Sequence, residues 1–226
     1  MRNQPSPFST ARYQRGAATV TGERAAQVLR NTYMLLGLTL VGATAAAMFA
    51  MAMNIGYVNP WLTIGVYFVL LFTTTALRNS GWGILAVFAL TGWLGFTTGP
   101  LISMYAQAGA GDVVSLALGG TAAIFVAMSA IALVTRKDFS FLTQFLMVGI
   151  LVAFLAGLGA MFFHLPALSL AVSGAFVLLS SLLILWQTSA IVHGGETNYI
   201  MATVTLFVSL FNLFLSLLNI LSALDD

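Results

Sequence analysis

The chain has 226 residues, of which 60% are hydrophobic and only 6% charged. Soluble domains carry roughly 25% charged residues, so an ordinary water-soluble globular protein and a disordered chain are both excluded. The net charge of +2, from 8 Lys+Arg against 6 Asp+Glu, creates no field for a polyanion and argues against a nucleic-acid partner. With no cysteine, disulfides, thiolate metal sites and cysteine nucleophiles also drop out.

Crossing ~30 Å of hydrocarbon takes about 20 mostly apolar residues, and the charges are sparse enough to mark where spans end. Residues 1–29 read as a polar N-terminal tail, with Pro5 and Pro7 disfavouring regular structure at its start. The uncharged stretch from Arg30 to Arg78 holds two spans, 30–53 and 59–77, parted by Asn54, Gly56, Asn59 and Pro60. Within the first, Ala43 to Ala47 offer the small residues of a signal-peptide cleavage site, but the tail before it is too long for that role. Close helix packing is the better reading of these alanines, as it is of Gly95 and Gly99 in the third span, 82–104. Pro100 is expected to loosen the end of that span. The fourth span, 112–135, fills the gap between Asp112 and Arg136. The fifth and sixth, 139–163 and 166–190, divide near His164, Leu165 and Pro166, and the seventh is 198–223. The fold class is an all-α integral membrane protein with seven transmembrane helices. Residues 30–226 form one membrane domain, because the connections are too short to hold another.

Lys and Arg set the orientation. Arg2, Arg12, Arg15, Arg24 and Arg30 lie in the tail or at its end, Arg78 between spans two and three, and Arg136 and Lys137 between spans four and five. Seven spans put all of these on one face, which the positive-inside rule makes cytoplasmic. The N-terminus is then cytoplasmic and the C-terminus periplasmic, with the lipid bilayer as the immediate partner.

Few motifs suggest chemistry. Gly109-Ala110-Gly111-Asp112 has the GxGD form of intramembrane aspartyl proteases, but no second carboxylate shares its depth. A Gly-rich loop with Asp112 as helix N-cap accounts for it. Ser173 in Ala171-Val172-Ser173-Gly174 resembles a rhomboid serine, but no histidine lies on a facing helix. No catalytic set, metal site or cofactor motif emerges, so the chain reads as a non-enzyme.

The last span is the most informative. Asn198, Ala202, Thr205, Ser209, Asn212, Ser216, Asn219 and Ala223 recur every three or four residues on one helix face, among Leu, Phe, Val, Ile and Met. Such a stripe either lines an ion path or forms a packing seam with amide glue. Without an ionisable group in it, the seam is favoured. The loop before it, His193-Gly194-Gly195-Glu196, offers a tight turn and an acid for a helix start.

At this segment a resemblance becomes specific. Gly194-Gly195-Glu196-Thr197-Asn198-Tyr199-Ile200 with Ala202-Thr203-Val204 resembles the last-helix signature of the bacterial branch of the Bax inhibitor-1/YccA family. Val28-Leu29-Arg30-Asn31-Thr32-Tyr33, Gly111-Asp112-Val113 with Leu118-Gly119-Gly120-Thr121, and Thr135-Arg136-Lys137-Asp138 with Ser140-Phe141-Leu142 match it too. The resemblance implies six helices surrounding a central seventh. It also implies modulation of FtsH, a membrane-anchored ATP-dependent protease, by direct association with it and its HflK/HflC partners in the bacterial inner membrane. The N-terminal tail would be a handle for that protease or simply disordered. Other family members are pH-sensitive calcium leak channels that use two aspartates. Those positions fall on Gln187 and Ser209. Neither ionises, so the channel alternative is disfavoured, although the pair is expected to hydrogen-bond and join the last two helices.

Overall fold

The structure is a computed structural model that describes residues 7–225, with side chains from Gly22 onward. Its seven helices are α1 (Pro7–Ala52), α2 (Pro60–Leu77), α3 (Trp82–Gln107), α4 (Gly111–Thr135), α5 (Leu142–Phe162), α6 (Pro166–Val192) and α7 (Tyr199–Asp225). All seven are long and apolar enough to cross a membrane, α1 through its part Gly22–Ala52. The chain is a multi-pass membrane protein.

Local chemistry explains the helix ends. α2 starts on Asn59, whose side chain accepts the Trp61 N–H at 2.9 Å, with Pro60 as the first helical residue. α6 likewise starts on Pro166. Pro7 is the first residue of α1, where its missing N–H costs nothing, so helix runs through most of the expected tail. Pro5 and Arg2 lie outside the described residues. Two sequence expectations need correction. α3 does not loosen at Pro100 but continues to Gln107, because Pro100 is buried and held by packing. Asp112 is not the N-cap of α4, since the helix already begins at Gly111. Its carboxylate instead accepts the Val113 N–H at 3.0 Å inside the first turn.

α7 packs along α1, α3, α4 and α6, while α2 rests on α3 and α5 on α6. Thus four of the six surrounding helices wall the seventh directly, and α2 and α5 form an outer layer. Phe68 of α2 meets Phe154 of α5 edge to face, with ring centroids 5.8 Å apart. The main apolar core joins Leu206, Phe207, Leu210 and Leu213 of α7 to Leu35 and Leu36 of α1, Val87, Leu90 and Leu94 of α3, and Ile184 of α6.

The tightest joint is α1 on α3. A Cβ on Gly95 would overlap the Ala43 carbonyl, and one on Gly99 would sit 2.5 Å from the Ala47 oxygen and 2.9 Å from the Ala50 Cβ. Ala43, Ala47 and Ala50 are all buried. The small residues of the first span are therefore a backbone-to-backbone seam. α5 docks on α6 by a looser version, with a Cβ on Gly149 meeting the Leu179 side chain at 2.7 Å. We expect Gly95→Ala to lower the thermal unfolding temperature in detergent, at a cost of about 1–3 kcal/mol for overpacking. Gly92→Ala, which meets nothing within 4 Å, should leave it unchanged.

Candidate functional site

The sequence-singled residues gather where α6 hands over to α7. α6 stops because Gly194 takes φ 74°, a left-handed conformation that glycine adopts freely. The chain then folds back, with Gly195 N–H reaching the Ala190 carbonyl at 2.8 Å. Asn198 is the cap of α7: its Oδ1 accepts the N–H groups of Ile200 at 3.0 Å and Met201 at 3.1 Å. Its Nδ2 donates to the Arg78 carbonyl at 3.0 Å and to Asn79 Oδ1 at 2.9 Å, tying the α2–α3 loop to the start of α7. The half-buried Glu196 accepts the Asn198 N–H at 2.7 Å, which places its carboxylate at the positive end of α7.

His193 is exposed and points at the α4–α5 loop. Its Nδ1 lies 2.9 Å from the Ser189 carbonyl of its own helix, and its Nε2 lies 3.1 Å from the Arg136 carbonyl. Ser189 makes the parallel link, donating to the Lys137 carbonyl at 3.0 Å and accepting the Phe139 N–H at 3.2 Å. In the same loop Asp138 accepts the Ser140 N–H at 2.8 Å. That bond, the Ser140 hydroxyl and, least, nearby His193 hold the exposed Asp138 carboxyl below the usual carboxylate range.

Gln187 and Ser209 are both buried, but the expected bond between them is not made. Ser209 Oγ donates to the Thr205 carbonyl of its own helix at 2.7 Å, and Gln187 Nε2 has no partner. A helix carbonyl one turn back lies within reach of a serine whatever its neighbours do, so it wins. Elsewhere on the stripe, Thr205 bonds back to Met201, Ser216 is buried and Asn212 is half-buried. Asn219 does act as interhelical glue, donating to Ser173 Oγ on α6 at 2.8 Å. Ser173, the rhomboid-like serine, is thus a packing residue. Among the described residues, no group of three His, Asp or Glu is placed to hold a metal ion.

One junction was not picked out as a site from the sequence. Tyr33 Oη of α1 donates to Ser129 Oγ of α4 at 2.9 Å and lies 3.1 Å from Thr188 Oγ1 of α6. Beside it, Thr203 Oγ1 of α7 donates to the Tyr199 carbonyl one turn back at 2.7 Å and lies 3.3 Å from the Thr32 carbonyl of α1. The available signal was a tyrosine inside an apolar span, whose hydroxyl must find a partner.

The model for the family described as inhibitor of apoptosis-promoting Bax1 matches residues 25–226. The chain belongs to the Bax inhibitor-1 family. Among bacterial relatives, the Escherichia coli K12 protein named modulator of FtsH protease YccA is 49% identical over 86% of this chain and 89% of its own length. An uncharacterised Pasteurella multocida protein is 52% identical over 82% of this chain and 84% of its own. Another from Pseudomonas aeruginosa is 46% identical over 92% of this chain and 94% of its own. Within this Bax inhibitor-1 fold, Asn198 carries the α6–α7 corner. Asn198→Ala should cost about 1–2 kcal/mol, read as a lower unfolding temperature in detergent. Asn198→Asp, which keeps the capping oxygen but loses both donated bonds, should recover part of the loss.

Proposed function

We propose that the chain modulates a membrane-anchored ATP-dependent protease of the FtsH type by direct association within the bilayer, and catalyses no reaction itself. The observation that carries this reading is the 49% identity to the E. coli modulator of FtsH protease YccA across 86% of this chain and 89% of that one. A second E. coli relative, equally similar, is named inner membrane protein YccA, which supports the bacterial inner membrane as the location. HflK and HflC, companions of FtsH by the resemblance, belong to the same proposal. The residues that looked catalytic support a non-enzymatic role: Asp112 is exposed in the first turn of α4, and Ser173 is engaged by Asn219.

The leak-channel alternative lacks its chemistry. Calcium seeks carboxylate oxygens, and Gln187 and Ser209 offer an amide and a hydroxyl, the latter already donated to its own helix. The polar, Arg-bearing segment before Arg30 is the handle a protease would engage, and its first six residues lie outside the described ones. FtsH of the host membrane should co-purify with the full chain and be lost when residues 1–25 are removed. No co-purification would overturn the proposal.

Orientation belongs to the same reading, because a cytoplasmic N-terminus faces the ATPase. The one-sided Lys and Arg distribution supports it. A phosphatase fused after Asp226 should be active and a green fluorescent protein there dark. The reverse pattern would refute a periplasmic C-terminus.

A further inference from the structure

His193 has one feature that the fold does not require. Both of its ring nitrogens face carbonyl oxygens, Ser189 O at 2.9 Å and Arg136 O at 3.1 Å. A carbonyl only accepts. Neutral imidazole carries a single N–H, so one of the two contacts would then set a nitrogen lone pair against an oxygen lone pair. The Ser189 hydroxyl lies 3.4 Å from Nδ1, but its shorter bond donates to the Lys137 carbonyl at 3.0 Å and its oxygen takes the Phe139 N–H, so it leaves the Nδ1 contact with the Ser189 carbonyl unrelieved. Only the imidazolium, with two N–H groups, satisfies both carbonyls at once.

We propose that His193 is a proton-operated clasp between the α4–α5 loop and the C-terminal end of α6: charged, its ring is anchored through Nδ1 on the Ser189 carbonyl of α6 and holds the Arg136 carbonyl of the loop through Nε2, and neutral it keeps only one of these two bonds. The loop it holds is not otherwise relaxed. Arg136 sits at φ 49°, in the left-handed region that side chains other than glycine enter at a cost. Its carbonyl is the one that His193 Nε2 meets. The other end of the clasp is the last turn of α6, whose exposed carbonyls favour a positive charge.

Charges of both signs surround the ring. The α4–α5 loop brings Arg136, Lys137 and Asp138, and the approach to α7 brings Glu196. From α1, Arg24 lines with His193 and Glu196 an open groove of about 680 Å³. Asp138 is held ionised below the usual carboxylate range, so it stays an anion throughout the range in which imidazoles titrate and supplies no transition there. The sign follows. The clasp is tight at the acidic end, and one bond is released as pH rises and the ring loses its proton. The loop and its Arg136, Lys137 and Asp138 then loosen beside that groove. A single residue would thus give this face a pH response.

The Phe139 amide, which bonds to Ser189 beside the clasp, supplies the readout. Its hydrogen exchange is measured on the full chain in lipid nanodiscs from pH 5.5 to 8 and compared at each pH with His193→Phe, so that intrinsic exchange cancels. The unmodified protein should be protected about two- to tenfold more than the variant at pH 5.5, the size of one or two net hydrogen bonds. The ratio should fall by at least half at pH 8. His193→Gln, an amide that does not titrate, should give a ratio independent of pH, as a check should the phenylalanine variant fold poorly. Glu196→Gln should keep the full pH dependence. A protection ratio that is flat between pH 5.5 and 8, or absent throughout, would overturn the clasp. A transition that vanishes in Glu196→Gln would reassign the titration to the glutamate and overturn it equally.

Discussion

A polar group inside a bilayer has no water to turn to, and that constraint governs almost every contact in this protein. The cheapest partner is the carbonyl one turn back on the same helix. Thr74 takes that of Leu70, Thr91 that of Val87, Thr98 that of Leu94, Thr121 that of Ala117 and Ser209 that of Thr205. Each hydroxyl so used has no hydrogen left to offer a neighbouring helix. Helix association is left mainly to shape, which is why the closest joint is glycine against alanine backbone along α1 and α3.

Polar bonds that cross between helices are few, and they sit at the ends of the bundle or at its inner junctions. Asn219 with Ser173 ties α7 to α6 at one end, and Asn198 with Arg78 and Asn79 ties α7 to the α2–α3 loop at the other. Tyr33 with Ser129 and Thr188 joins α1, α4 and α6. Trp186 reaches Thr143 at 2.9 Å and couples α6 to α5. Among the described residues, two buried side-chain polar atoms stand outside this economy, Gln187 Nε2 and Thr32 Oγ1, both without a partner. Gln187 therefore sits inside the bundle with its amide hydrogens unpaired.

The side that carries the α2–α3, α4–α5 and α6–α7 loops is the more elaborately built. Those loops are cross-linked through Asn198, Ser189 and His193, so that the start of α7 and the end of α6 are held by the same few side chains. This is the face that carries the Lys and Arg residues of the loops, and the face a cytoplasmic partner would meet in the proposed orientation. A regulator that acts by association needs such a defined surface more than it needs a cavity.

The sequence by itself determined the number of spans and their approximate limits, because charges are excluded from hydrocarbon-spanning helix interiors and apolar length is countable. It also determined the small-residue seam and the stripe of α7, since both are written as helical periods. It did not determine where each polar group would spend its hydrogen bonds. The expected link between Gln187 and Ser209 failed because a local carbonyl outcompetes a distant amide, a contest that spacing cannot reveal. The roles of Tyr33, Ser129, Thr188 and Ser189 stayed hidden because their partners lie 50 or more residues away in the chain. His193 showed its geometry only once α6 had delivered it to the α4–α5 loop, since two carbonyls from separate segments are what make its protonation matter. Helix content is set by local periodicity and the exclusion of charge from lipid, whereas the pairing of polar groups is set by which helices touch, and only the tertiary structure decides that.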